Sequence, residues 1–340
     1  MAFEIVRWSL PIQISLPGCP EHCREGLLVR FHTSDDVVGF GDCCPLPGFS
    51  TETLAEAQQA LMSACRRLAS DQHLVDRCRE HGVVATLGQY PSSVCFALES
   101  ALTLNRSVSS VSLPECRLLT GSTDSIIQQA QRLGSRVSAV KLKVGRCAAN
   151  DELALIHTLD SILGQAVKLR LDGNRGWNLS EAIEFTKQLP LHRIAFLEEP
   201  LRNPAELPTL FEHTGCPVAL DESLQARFGG HQHLPQVFPG LAALVVKPTL
   251  SGGIHRSREL AWFAHSHGLE LVLSSSYESN IGIETLRLLA EELAPATAPG
   301  LDTLSAFSGY LLKQPEGMPS HAVSSWAELT PVWSSSDSTL

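Results

Sequence analysis

Six residues of this 340-residue chain have the types and spacing that metal-assisted acid–base chemistry needs: Lys141, Lys143, Asp172, Glu198, Asp221 and Lys247. The carboxylates end short apolar stretches, LRLDGN, IAFLEEP and PVALDES, and intervals of 23–29 residues separate the marked positions 143, 172, 198, 221, 247 and 274. Taken singly, each carboxylate reads equally well as a solvated loop residue or a helix N-cap. Together, on successive strands, they repel one another unless a cation lies between them. Oxygen ligands in that number suit Mg²⁺, with Mn²⁺ as a substitute. In AVKLKVG the two lysines share one strand face, because side chains alternate across a strand. That spacing by itself also fits a half-wet strand with both lysines in solvent. Beside a divalent cation and each other, however, their charged forms are disfavoured, and an amine so placed can act as a base. Lys247, in VVKPT, would flank the same point from the other side.

The elements that must position these residues have two textures. Residues 4–10, 26–32 and 37–41 alternate like strands, with Ser34, Asp35 and Asp36 as turn chemistry between the last two. Thr53 and Glu56 form a capping box before a helical stripe, and a second stripe runs through Val94, Ala97, Leu98, Ala101 and Leu102. Between strands and helix lies CPLPGFS, residues 44–50, an apolar loop that either packs on its own domain or covers a site. From about residue 116 short apolar strands alternate with helical stretches, which implies βα units and a parallel sheet. The candidate strands are CRLLTG, AVKLKVG, LRLDGN, IAFLEEP, PVALDES, ALVVKPT, LELVLSSS and GLDTL, eight being the number of a closed barrel. Active sites of such barrels lie at the C-terminal strand ends, where the six residues fall. The expected division is residues 1–110, residues 111–305, and a C-terminal segment, 306–340, that ends as a disordered tail.

A formal net charge of -10 argues against a general binder of nucleic acid, which needs clustered Lys and Arg. An anionic small-molecule substrate must therefore meet a local cation. The first residues do not resemble a signal peptide, and no stretch approaches the roughly 20 apolar residues of a membrane span. A cytoplasmic protein with ten reduced, scattered cysteines is expected, since no CxxC pair occurs.

The motifs AVKLKVG, LRLDGNRGW, IAFLEEP, ALDES, VVKPTLSGG and LVLSSSYESNIG, with PLPGFSTETL ahead of them, span roughly residues 45–305 in order. On them the chain resembles the muconate-lactonizing subgroup of the enolase superfamily, and within it the o-succinylbenzoate synthases. The resemblance implies an α/β fold, a modified (β/α)₇β TIM-type barrel under an N-terminal α+β capping domain whose PLPGFS loop closes the site. It implies Lys143 as acid/base, Lys247 opposing it, Lys141 beside it, and Asp172, Glu198 and Asp221 as Mg²⁺ ligands. The implied reaction dehydrates 2-succinyl-6-hydroxy-2,4-cyclohexadiene-1-carboxylate to 2-succinylbenzoate, a step toward menaquinone or phylloquinone.

Substrate contacts are expected from Phe49 in the loop, from Asn174, from Ser274 and Ser276 at the succinyl end, and from Arg170, which shares a strand face with Asp172. Arg170 fits a structural ion pair equally well, and Asn174 a loop cap. Two departures from the family pattern are small: Asp42 replaces a Glu, and Gly173 and Gly176 stand where alanine is common. A racemase or epimerase of the same superfamily would use both lysines as bases. A non-catalytic barrel would not need all these groups, and a Schiff-base aldolase would need one lysine and no carboxylate trio.

Overall fold

A computed structural model describes residues 1–16, 19, 22–32, 37–103, 112–225 and 233–338. Strands β1 (Ala2–Pro11), β2 (Cys23–His32) and β3 (Val37–Cys43) form an antiparallel sheet, with β1 and β2 paired from Ala2 against His32 to Pro11 against Cys23. Four helices follow: α1 (Leu54–Ala69), α2 (Gln72–His81), α3 (Val83–Leu87) and α4 (Ser92–Thr103). The capping box of Thr53 and Glu56 starts α1 as expected. Alternation along β1 gives the sheet two apolar faces. Phe3 and Ile5 join the core with α1 and α4, while Val6, Trp8 and Leu10 pack toward Phe307 and Leu311. Gly41 lets α4 lie directly on β3, since a Cβ there would meet the Ala97 carbonyl oxygen at 1.8 Å. The expected turn at 34–36 and the expected boundary near residue 110 lie outside the described residues.

The second sheet is parallel, in the order β10-β9-β8-β7-β6-β5-β4: β4 (Glu115–Leu119), β5 (Val137–Lys143), β6 (Lys168–Asp172), β7 (Ile194–Glu198), β8 (Val218–Leu220), β9 (Leu241–Val246) and β10 (Glu270–Leu273). Helices α5 (Thr123–Gln131), α6 (Ala149–Ile162), α7 (Leu179–Thr186) and α8 (Leu207–Thr214) fill its crossovers; α9 (Pro248–Ser251), α10 (Gly253–Ser266) and α11 (Asn280–Leu293) follow its last strands. The two-residue period sorts the side chains. Val140, Leu142, Leu169, Leu171 and Leu197 join the large core with the helices, whereas Phe196, Ala219, Ala243, Val245 and Val272 form a small cluster inside the ring. Two residues beyond Phe196, Ala219 and Val245 on that inner face come Glu198, Asp221 and Lys247. None of the described helices is long and apolar enough to cross a membrane.

Two expectations are corrected. GLDTL is not a strand: it contributes one bridge, Gly300 to Ser274, and then turns. Asp302 takes over on its other side, where Oδ2 accepts the Leu118 N–H at 3.1 Å and Oδ1 accepts from Arg117 at 3.1 Å. A side chain thus satisfies the edge of β4 where a strand would have. Nor does the C-terminal segment trail off. After the short strands β11 (Gly309–Leu311) and β12 (Ala322–Ser324), β13 (Thr330–Ser334) pairs antiparallel with β1. Val332 and Trp333 pack against the capping core, and the otherwise bare edge of β1 gives this segment its pairing partner, while the expected disordered tip, at 339–340, lies outside the described residues.

Candidate active site

Register brings the six residues together. Lys143 lies beside Asp172, Asp172 beside Glu198, and Asp221 follows the Ala219 that pairs with Glu198. Lys141 Nζ stands 2.8 Å from both Glu198 oxygens and 3.0 Å from Asp172 Oδ2. Lys247 Nζ donates to Asp221 Oδ2. Lys143 Nζ donates to Asn174 Oδ1 at 2.6 Å and reaches Asp172 Oδ2 at 3.4 Å. Asn174 in turn donates to Glu222 Oε1 at 3.2 Å, and its backbone N–H binds Asp172 Oδ1 at 3.1 Å.

The electrostatics differ from lysine to lysine. Burial works against the Lys141 ammonium, but Asp172 and Glu198 outweigh it and hold its pKa well above the usual range. Lys247 is likewise kept charged against burial, chiefly by Asp221. Lys143 goes the other way. Burial lowers its pKa, Asp172 opposes, and Lys141, Arg146 and Lys247 push it down further. Of the three amines it is therefore the one suited to release its proton and act as a base.

The donor set fits a hard divalent cation. Asp172, Glu198 and Asp221 are each at most 2% exposed, and burial with the neighbouring Asp172 pushes Glu198 well above the ordinary carboxylate range. Such crowding of buried acids is relieved by a cation held among them. Lys141 already holds two of them, its ammonium lying between Asp172 and Glu198. Among the described residues no three acids are placed to hold a metal ion as they stand, and Lys141 and Lys247 bind the oxygens of Glu198 and Asp221.

A cavity of about 530 Å³ opens over these groups, lined by Lys141, Lys143, Asp172, Asn174 and Lys247 below and by Leu46 and Phe49 of the PLPGFS loop above. The apolar loop therefore contributes two side chains to the cavity wall. Glu198 and Asp221 sit behind the lysines and do not line the cavity. Ser274 and Ser276 do, but their hydroxyls are engaged, Ser274 with the Gly300 carbonyl at 3.3 Å and Ser276 with Glu278 Oε1 at 2.6 Å. Arg170 is not brought to the cavity. Arg170 is 4% exposed, and its guanidinium donates to the Ala298 carbonyl at 2.6 Å and Glu270 Oε1 at 2.7 Å and lies over Phe196. The strand face was read correctly, but Arg170 lies one pair of residues below the rim and finds its acid at the start of β10.

Several contributors had no role assigned from the sequence. Ile14, Ser15 and Leu16, which follow β1, line the cavity, as do Arg146 and Tyr277. Glu199, fully buried, accepts the backbone N–H groups of Asp221 at 3.1 Å and Ser223 at 2.7 Å and pairs with Arg175 Nε at 3.0 Å. It thereby ties together the ends of β6, β7 and β8, the strands that bear the three acids. The doubled Glu of IAFLEEP and the Arg of GNRGW were the available signals. Gly173 is no neutral exchange for alanine here, because its Cβ would meet Pro200 Cα at 2.7 Å. Asp42 is more than a loop contact. It is fully buried and accepts from Trp8 Nε1 at 3.0 Å and from the Ser279 N–H and hydroxyl at 2.8 Å each, joining the capping sheet to the barrel.

Comparison with known proteins bears on the fold and the family. Residues 2–103 match the family described as MenC, N-terminal domain, and residues 125–303 match Enolase C-terminal domain-like. The chain is 37% identical over 321 residues to an o-succinylbenzoate synthase of Yersinia enterocolitica, covering 92% of this chain and 93% of that one. It shares its fold with MenC from Desulfotalea psychrophila (TM-score 0.74, 20% identity, 97% and 99% of the two chains). It does so also with an o-succinylbenzoate synthase from Thermosynechococcus elongatus solved with Mg in the active site (TM-score 0.67, 23% identity, 90% and 94%).

Proposed function

The chain belongs to the o-succinylbenzoate synthase family of the enolase superfamily, and from that premise we propose how its own residues carry the reaction. The activity is that of a hydro-lyase: 2-succinyl-6-hydroxy-2,4-cyclohexadiene-1-carboxylate loses water to give 2-succinylbenzoate, a step of menaquinone biosynthesis. The substrate is a small dianion. It enters the cavity under Leu46 and Phe49, where the loop excludes water and strengthens the charge interactions below.

Lys143 is the acid/base. As a neutral amine it takes the proton from the ring carbon that bears the carboxylate. As an ammonium it returns that proton to the departing hydroxyl on the same face, so that water leaves and the ring becomes aromatic. Asn174 Oδ1 orients it. Lys247, four strands away along the sheet, stays charged and offsets the negative charge that develops on the substrate. Lys141 steadies Glu198 and Asp172. Asp172, Glu198 and Asp221 would hold Mg²⁺, or Mn²⁺ in its place. When bound, the metal supplies a concentrated positive charge for the substrate carboxylate. The side chains of Phe49, Asn174 and Ser274 form the walls that orient the ring and its succinyl arm. The ten free thiols, most of them buried, suit a reducing compartment, and we place the protein in the cytoplasm.

One observation carries the assignment of Lys143: it is the lysine at the cavity whose nearest partner is a neutral amide, Asn174, while both other lysines are locked onto carboxylates. The test is a spectroscopic dehydration assay with the cyclohexadiene substrate, with and without Mg²⁺. Turnover that depends on the metal is expected. Full turnover after exhaustive chelation would remove the metal from the mechanism.

A further inference from the structure

Arg24 is only 2% exposed, yet among the described residues it forms no salt bridge. Its guanidinium donates to backbone carbonyls instead: to Cys44 O at 2.7 Å, Pro45 O at 2.8 Å, Tyr277 O at 3.2 Å and Glu25 O at 3.2 Å. A buried cation that lacks a counter-charge is costly, and a lysine or a neutral side chain cannot present donors in so many directions. The carbonyls it gathers are informative. Cys44 and Pro45 are the root of the loop whose Leu46 and Phe49 cover the cavity. Tyr277 belongs to the turn after β10 that supplies Ser274, Ser275, Ser276 and Tyr277 to the opposite wall.

That turn does not hold its shape from local preference. Tyr277 sits at φ 61°, in the left-handed region that side chains other than glycine rarely adopt, so its conformation must be imposed by surrounding contacts. Glu278 fixes one side of it through the Ser276 N–H and hydroxyl, and Asp42 grips Ser279. The carbonyl of the strained residue itself is taken by Arg24. The same planar group therefore bonds the base of the cover and the crest of the wall.

We propose that Arg24 is a positioning residue for the reaction: it sets the distance between the covering loop and the turn at 274–277, and so the fit of the cavity to the substrate. The inference rests on the dehydratase reading above. Arg24 touches none of the lysines or acids, so its loss leaves the proton-transfer machinery in place and spoils the enclosure. A misplacement of about 1 Å in an enclosing wall is worth up to roughly a hundredfold in kcat/KM.

A cavity of about 570 Å³ has Arg24 in its lining, with Glu25, Pro45, Pro47 and Glu52. This opens a rescue experiment. In Arg24→Lys and Arg24→Ala, KM should rise by about tenfold or more while kcat falls less. Millimolar guanidinium should restore much of kcat/KM to Arg24→Ala, and ethylammonium at the same concentration should not. Hydrogen exchange of the free variants, which needs no substrate, should quicken at residues 45–50 and 276–279 and stay unchanged in β6 to β9. If wild-type protein fails to turn over the substrate, the dehydratase reading falls, while the exchange pattern still judges Arg24. KM values within twofold of wild type in both variants would overturn the proposal. So would exchange that quickens evenly along the chain together with activity that follows melting and ignores guanidinium.

Discussion

Replacing Lys143 by alanine separates proton transfer from everything else the site does. The side chain is about one-third exposed, and its contacts are one hydrogen bond to Asn174 at 2.6 Å and a longer approach to Asp172 at 3.4 Å. Its charged form is already disfavoured, so deleting it relieves crowding with Lys141 and Lys247 as well as losing those contacts. The cost to folding should stay within about 1 kcal/mol, as for other partly exposed positions. Asp172, Glu198 and Asp221 remain, and with one cation fewer beside Asp172 the affinity for Mg²⁺ should hold or rise. Turnover should not survive. General acid–base catalysis contributes about 10²- to 10⁴-fold, or roughly 3–5 kcal/mol of barrier, and this amine serves in both proton transfers, so a loss toward the upper end is expected. The measurements are the rate of 2-succinylbenzoate formation at saturating Mg²⁺ and calorimetry of product binding with and without the metal. Turnover within tenfold of wild type would refute the reasoning and return AVKLKVG to a strand whose lysines merely face water.

Asp221→Ala should behave differently, with Mg²⁺-dependent product binding and turnover falling together because one of three ligands is lost; unchanged metal dependence in calorimetry would count against Asp221 as a ligand. Phe49→Ala removes a cover that is 36% exposed, so KM should rise several-fold while stability shifts by no more than about 0.5 kcal/mol, and equal losses in both would show a loop that only packs. Burial, with Glu278 adding to it, raises the pKa of Asp42 to about 6 against the bonds from Ser279 and Trp8, so its protonated form is the one the fold favours. Its contribution is thus full below about pH 4 and is lost as pH rises through 6, worth about 3 kcal/mol from the shift above 3.8. In urea unfolding from pH 4 to 7, wild type should lose that much relative to Asp42→Asn; a difference that does not vary with pH would contradict the buried titration.

What the sequence alone determined is what short-range periodicity encodes. A two-residue period put Lys141 and Lys143 on one face, and the same period put Asp172, Glu198, Asp221 and Lys247 at the inner rim of successive strands, because a strand's pleat leaves no choice once one position is assigned. The spacing of 23–29 residues then required a strand, a helix and two loops each time, which is why the parallel ring could be read from its punctuation. Tertiary structure decided where side chains end. Arg170 had the right face but met Glu270, 100 residues away, at the bottom of the ring. Arg24, which no local pattern singles out, is a buried donor to carbonyls as far off as Tyr277, 253 residues later. The final strand, TPVWS, was read as part of a tail because it is short, carries a proline and runs into a serine-rich end; the open edge of β1 supplied its pairing. Contacts of that sequence separation leave no local pattern, since they depend on which edges and carbonyls the rest of the fold leaves unsatisfied.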